Sequence, residues 1–186
     1  AVTGSNGKTT VPQMMASILR AWKGDAALAT QGNLNNDIGV PLTLLRLRAS
    51  HQVAVVELGM NHPGEIAVLA GMVRPTVALV NNAQREHQEF MASVAEVAAE
   101  HADAISALPA GGCAVVNADD ARMLARARAS GRRLLTFAVG RQRRGDVAVL
   151  EILSQEAGGM RFLLGVGNRE LEVTLPLVGA HNAQNA

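Results

Sequence analysis

Val2-Thr3-Gly4-Ser5-Asn6-Gly7-Lys8-Thr9-Thr10, at the head of a 186-residue chain, decides the fold class. A strand end runs into a glycine turn, and a helical stretch over 8–22 follows it. Glycines in such a turn let backbone N–H groups face inward and approach phosphate oxygens closely. The start of a helix directs its positive dipole end at the same anion. In this reading Gly4, Ser5, Asn6, Gly7, Lys8, Thr9 and Thr10 cradle the phosphates of a nucleotide. Lys8 reaches the β- and γ-phosphates, and the Thr9 hydroxyl is a Mg²⁺ ligand. The full phosphate-loop pattern has one more glycine, at the position held here by Val2, so the match is to a shortened Gly-x-x-Gly-Lys-Thr. Glycine turns before helices also occur as plain structure; the strand–loop–helix setting of Lys8 and Thr9 favours the functional reading.

Working outward, short apolar runs alternate with helical stretches. Val53–Val56, 76–80 and 113–116 are continuous apolar runs and read as strands buried on both faces. Helices are expected at 41–48, 64–73, 92–108 and 119–129, and in the 8–22 helix Met14, Ile18, Leu19 and Trp22 share one apolar face. Strand–helix–strand at this spacing predicts an α/β fold of three layers, a mostly parallel sheet with helices on both faces. After Gly140 three short strands follow at 147–153, 160–166 and 169–175, with turns at Gly158-Gly159 and Gly167-Asn168. They read as an antiparallel flank on the same sheet. Cys113 and the methionines at 14, 15 and 72 suit the core, and Arg141, Arg143 and Arg144 a solvated loop.

Composition narrows the function classes. Seventeen basic against sixteen acidic residues leave a net charge of +1, which gives no support to a nucleic-acid wrapper or a polybasic membrane binder. Hydrophobic residues are 48% of the chain and aromatics only 2%, so a core of aliphatic side chains forms and base-stacking platforms are excluded. The single cysteine, Cys113, rules out an internal disulfide and a multi-cysteine zinc site. No apolar run approaches the roughly 20 residues of a membrane span. The expectation is a soluble, intracellular domain. The chain opens without Met and closes on Gly179-Ala180-His181-Asn182-Ala183-Gln184-Asn185-Ala186, which reads as the beginning of a helix and suggests a segment of a longer chain.

Glu57 ends the run Val53–Val56, and a carboxylate at the C-terminal edge of a parallel strand lies where open α/β sheets bind ligands. It would hold Mg²⁺ directly or through water; the alternative is an ordinary charged strand terminus. His87 lies in the polar stretch Gln84–Glu89, which on the residues alone reads as surface. Asn33, Asn35 and Asn36 read as an asparagine-rich turn. Pro63-Gly64-Glu65 reads as a helix start with Glu65 favouring the dipole.

The loop Thr3–Thr10 resembles the ATP loop of the Mur ligases and their folylpolyglutamate synthase relatives. The segments 32–41 (Gly-Asn-Leu-Asn-Asn-Asp-Ile-Gly-Val-Pro) and 57–66 (Glu-Leu-Gly-Met-Asn-His-Pro-Gly-Glu-Ile) narrow the resemblance to one branch of that family. Val80-Asn81-Asn82 with His87 and Glu89, and the closing Gly-x-His-Asn-x-x-Asn, complete it. That branch adds D-alanyl-D-alanine to UDP-N-acetylmuramoyl-tripeptide through an acyl phosphate, in cytoplasmic peptidoglycan precursor synthesis. The resemblance covers the whole chain and implies the central ATP-binding domain over 1–178, with 179–186 beginning a C-terminal domain. It implies ATP and Mg²⁺ as cofactors, Lys8, Glu57 and His87 as catalytic, and Thr9, Glu57 and His87 as metal ligands. It places Asn82, Asn182 and Asn185 on the nucleotide, and Asn33, Asn35 and Asn36 near substrate and γ-phosphate. A monomer is expected, with no nucleic-acid partner and no membrane span, and the segment alone is expected to be nearly inactive. Alternatives are another amide ligase of the family and a nucleotide-binding module without chemistry.

One feature of the family is missing. A lysine in the helix after the metal histidine is carbamylated there and helps hold a second Mg²⁺, but this chain has only Lys8 and Lys23. His101 stands at that position, flanked by Glu100 and Asp103. One of these three replaces the carbamate, or all three form a solvated helix face. Glu100 and Asp103 share a face, and His101 points about 100° away from Glu100.

Overall fold

A computed structural model describes residues 1–85, 89–140 and 145–186. Its strands are β1 (Val2–Thr3), β2 (Ala27–Ala29), β3 (Val53–Val55), β4 (Val77–Val80), β5 (Cys113–Asn117), β6 (Arg133–Val139), β7 (Val147–Glu156), β8 (Gly159–Val166) and β9 (Arg169–Leu175). Its α-helices are α1 (Thr10–Lys23), α2 (Gly39–Leu44), α3 (Glu65–Val73), α4 (Val94–Ser106), α5 (Ala121–Ala129) and α6 (Ala180–Asn185). Strands β1-β4-β5-β6-β7-β8-β9 form one sheet, parallel as far as β7 and antiparallel beyond it. The parallel pair β2-β3 continues this sheet past β1: Val2 N–H donates to Val56 O at 2.9 Å, and Leu58 N–H donates to Val2 O at 2.8 Å. Strand β7 is paired to β6 on one side and β8 on the other, so the antiparallel strands are a flank of the same sheet, as expected.

Side chains two apart on a strand point to the same face. Along β4, Ala78 and Val80 enter a large cluster with Ile66 and Leu69 of α3, Val97 and Ile105 of α4 and Met123 of α5. Leu79 between them packs on the opposite cluster, where Val11 and Ala16 of α1 meet Val2, Ala29 and Val55. The sheet is therefore the middle of three layers. Helix α6 buries Ala183 against Val149, Met160 and Phe162 on the flank.

Several expectations are corrected. The sequence pattern does not predict strands β2 and β6. The first is three residues of Ala-Leu-Ala, a poor strand former held by its neighbour. The second breaks strict alternation with Leu134-Leu135 and Phe137-Ala138. Helix α1 turns inward a face shifted from the expected one: Val11, Pro12 and Ala16 are buried and Leu19 of the expected stripe packs beside them with Met15, whereas Ile18 and Trp22 are 65% and 68% exposed. The small residues allow closer approach to the sheet than the bulky stripe would. Ala54 of β3 and Val77 of β4 are exposed, so those two strands are not covered on both faces along their whole length, whereas β5 is. Met72 is exposed, and the fully buried methionines are Met60, Met91, Met123 and Met160. Helix α2 starts two residues earlier than expected, where the Asn36 side chain accepts from Gly39 N–H at 2.9 Å and caps it, and it ends at Leu44.

Candidate functional site

The glycine loop leaves β1 at Gly4, whose φ is +142°. A Cβ at Gly4 would stand 3.2 Å from the backbone nitrogens of both Asn81 and Asn82, so the position has no room for a side chain. The end of β4 then holds the loop in shape. Ser5 N–H donates to Asn82 O at 3.0 Å, Asn6 N–H to Asn82 Oδ1 at 2.9 Å, and the Asn81 amide to Asn6 O at 2.8 Å. Gln84 completes the brace, its backbone N–H donating to Ser5 Oγ at 2.8 Å. Val11 N–H closes the first turn of α1 on Gly7 O at 2.9 Å. The helix thus begins on the loop, with Lys8 half-buried and Thr9 exposed at its mouth.

Glu57 lies one strand away at the end of β3, only 1% exposed. Its Oε1 accepts from Thr9 Oγ1 at 3.1 Å and from the Asn35 amide at 2.7 Å. Asn35 is fixed in turn by its own carbonyl, which accepts from Gly59 N–H at 2.7 Å. The structure therefore brings together three of the expected residues, Thr9, Glu57 and Asn35, as an all-oxygen and amide set. Such donors suit a hard cation like Mg²⁺ and not zinc. Asn33 is exposed and Asn36 is spent on the α2 cap, so the asparagines of this turn have three different surroundings. Among the described residues no group of three His, Cys, Asp or Glu side chains gathers at one point. His87 lies outside the described residues, as do Arg141, Arg143 and Arg144.

The helix face at residues 100–103 is not solvated. Glu100 is 7% and His101 1% exposed. Both Glu100 oxygens cap α3, accepting from Gly64 and Ile66 N–H at 2.8 Å each, which commits that carboxylate to structure. His101 Nδ1 lies 3.0 Å from Thr3 Oγ1 at the root of the glycine loop. Burial pushes the Asp103 carboxyl above the usual carboxylate range, with the Glu100 charge adding to the effect and Arg126 opposing it. Glu65 serves the helix start: its Oε2 accepts from Asn61 N–H at 2.6 Å and His62 N–H at 3.2 Å. Burial works against its ionisation, but those two N–H groups and the His62 ring hold its carboxyl below the ordinary value.

Beside the loop a cavity of about 670 Å³ is lined by Asn6, Gly7, Thr10, Asn82, Asn182 and Asn185 among others, a size in the range of nucleotide-scale pockets. Asn82, Asn182 and Asn185 thus line one cavity, the arrangement that the resemblance implies for nucleotide contacts. Asn185 Oδ1 also accepts from the Asn81 amide at 2.9 Å, tying α6 to the loop. Sequence reasoning misses Asn81 and Gln84, which shape the loop, and Thr3 beneath it. The signal for Asn81 is its place in the Val80-Asn81-Asn82 segment at a strand end, in which sequence reasoning attaches a role only to Asn82.

A Gly-Lys-Thr loop between a parallel strand and a helix, faced by a buried carboxylate on the neighbouring strand, defines a P-loop domain of the open α/β class. The chain belongs to the Mur ligase middle domain family, which matches residues 2–186. It is 42% identical over its whole length to UDP-N-acetylmuramoyl-tripeptide--D-alanyl-D-alanine ligase of Escherichia coli K12, of which it spans 40%. MurF from Acinetobacter baumannii superposes on 99% of the chain with a TM-score of 0.89 at 35% identity, over 39% of that protein. A MurF ligase from Thermotoga maritima, solved in complex with ADP, shares the fold with a TM-score of 0.84 at 24% identity; the match covers 99% of this chain and 42% of that one. The chain thus spans about two fifths of the length of the relatives it matches.

Proposed function

We propose that this chain is the nucleotide-binding part of an ATP-dependent ligase that joins D-alanyl-D-alanine to UDP-N-acetylmuramoyl-tripeptide in cytoplasmic peptidoglycan precursor synthesis. The observation that carries the reading is the meeting of Thr9 Oγ1 with Glu57 Oε1 at 3.1 Å beside the Lys8 loop. The likeness to the Escherichia coli ligase supports the choice of substrates. In this reading residues 1–178 are the central domain, 179–186 begin a C-terminal domain, and the protein works as a monomer.

ATP lies with its phosphates on the loop 4–10 and its base toward Asn82, Asn182 and Asn185. Lys8 and the loop N–H groups neutralise charge on the β- and γ-phosphates and hold the γ-phosphorus for in-line attack. Thr9, Glu57 and, by resemblance, His87 would hold Mg²⁺, which when bound supplies further charge neutralisation at the phosphate oxygens. The terminal carboxylate of the tripeptide attacks the γ-phosphorus, the bond to the ADP oxygen breaks, and an acyl phosphate forms. The D-alanyl-D-alanine amine then attacks the acyl carbon and loses a proton, and the C–O bond to phosphate breaks to leave the amide. Asn35, turned onto Glu57, keeps that carboxylate oriented; Asn33 and Asn36 border the substrate side of the same turn. Catalysis of this kind is mostly positioning and electrostatics, which suits a site built from loop N–H groups, a lysine, a hydroxyl and a carboxylate.

The test is phosphate release by the full-length protein with UDP-N-acetylmuramoyl-tripeptide present and D-alanyl-D-alanine added or withheld. Release that requires the dipeptide is expected. Turnover with a different acceptor would favour another amide ligase of the family. ATP binding without turnover would favour a nucleotide-binding module, a reading that draws on His101 standing where the family has a lysine.

A further inference from the structure

We propose that His101 is a positioning residue that sets the glycine loop against Glu57 through a relay of two hydrogen bonds with one fixed direction. The consequence for turnover rests on the nucleotide-site reading above; the relay itself does not.

Thr3 Oγ1 lies 2.9 Å from Leu58 O and 3.0 Å from His101 Nδ1, and all three residues are essentially without solvent exposure. A threonine hydroxyl has one proton to give. If it went to the imidazole, the hydroxyl and carbonyl oxygens would face each other lone pair to lone pair, a contact with a cost at a buried site. The arrangement that satisfies all three atoms has Thr3 donating to Leu58 O and His101 Nδ1–H donating to Thr3. The geometry thus assigns the protonated ring nitrogen.

The relay joins three parts of the site. Thr3 is the last residue of β1 and precedes Gly4 of the loop; Leu58 follows Glu57; His101 belongs to α4. The adjacent Glu100, fastened to the start of α3 by two 2.8 Å bonds, makes that part of α4 a firm mount. The strand ladder pairs Val2 with Glu57 and, on the other side, β1 with β4, all within the plane of the sheet; the relay adds a side-chain tie to a helix packed on one face of that sheet. Thr3, tied to α4 through His101 and to the residue after Glu57 through Leu58 O, thereby holds the Thr9–Glu57 approach, and sites of this kind tolerate displacements of only about 0.5 Å.

The experiment uses the full-length protein with two near-isosteres. In His101→Asn the amide N–H₂ takes the place of Nδ1–H and the relay survives. In His101→Gln the amide nitrogen falls where Nε2 was and the donor to Thr3 is lost. With both variants melting at similar temperatures, kcat/KM for ATP with Mg²⁺ is expected within about threefold of wild type for Asn, and about tenfold lower for Gln. Thr3→Val should reproduce the Gln defect, and Thr3→Val with His101→Gln should be no worse than either alone. Equal effects of Asn and Gln, or additive effects of the Thr3 and His101 changes, would overturn the proposal. So that a folding failure leaves it testable, the ring nitrogens of His101 in the wild-type protein are read by ¹H–¹⁵N correlation: Nδ1–H is expected, and an Nε2–H tautomer overturns the relay. A wild-type protein that binds or turns over no ATP would sink the nucleotide-site reading instead, and the tautomer would still decide the relay.

Discussion

Glu57 carries the heaviest burden of any single side chain, because it is a buried carboxylate whose Oε1 is met by a hydroxyl and an amide. Glu57→Gln keeps the shape and an acceptor oxygen but removes the charge. Turnover at fixed Mg²⁺ is expected to fall by about 100-fold, followed by phosphate release across a Mg²⁺ titration. Asp103 offers a pH test away from the site. Its folded pKa is raised above the ordinary 3.8, first by burial and then by Glu100. Between those two values the folded state binds the extra proton, so stability falls as pH rises through that window. Asp103→Asn should therefore melt at a higher temperature than wild type at neutral pH, and the gain should vanish below pH 3.8, where both states are protonated. Thermal melts at the two pH values decide it. At this scale the placement of Glu57 beside the loop was legible because both stand at the ends of neighbouring strands. The role of Glu100 was not: nothing in Glu100-His101-Ala102-Asp103 says that a helix N-terminus thirty-odd residues earlier will fold onto it.

Elements were legible where a single periodicity ran long enough. Helices α3 and α5 fall within two residues of their expected ends, since a cap or a strand flanks each apolar stretch. Ser93 caps α4 through Glu96 N–H, and Asp120 caps α5 through Arg122 and Met123 N–H, both of the type that sequence displays. Helix α3 is different, being capped from another helix. Glu100→Ala would leave the Gly64 and Ile66 N–H groups without their acceptor, at a cost of about 2 kcal/mol in urea denaturation. Periodicity points to a face of α1 that is only partly right, because Met14, Ile18 and Trp22 are the larger apolar residues, whereas the sheet takes Val11 and Ala16 with Met15 and Leu19 at the side. Size alone favours one face; the space available over β1, β2 and β3 chose one shifted from it.

On the scale of the whole molecule, α6 is the element that joins the candidate site from furthest away in sequence. Asn185 reaches across to Asn81, which in turn holds Asn6. A Cβ at Gly7 would come within 2.5 Å of the Asn81 amide and would overlap Asn185, on a backbone with φ of +76°. Gly7→Ala should therefore weaken ATP binding by tenfold or more, about 1.4 kcal/mol, as measured by calorimetry. Faster amide exchange in α6 should accompany it, because the strain is relieved by lifting that helix off the loop. The alternation of apolar runs with helical stretches was enough to determine an α/β sheet, and Gly4–Thr10 with Glu57 enough to put the candidate site at one edge of it, because backbone turn chemistry and strand-end position are local properties. Which strands flank one another, which face of α1 is buried, and how Thr3, Leu58 and His101 meet were decided only by tertiary structure. Those outcomes depend on competition for the same space and the same few protons among residues far apart in the chain, and no local pattern records who wins.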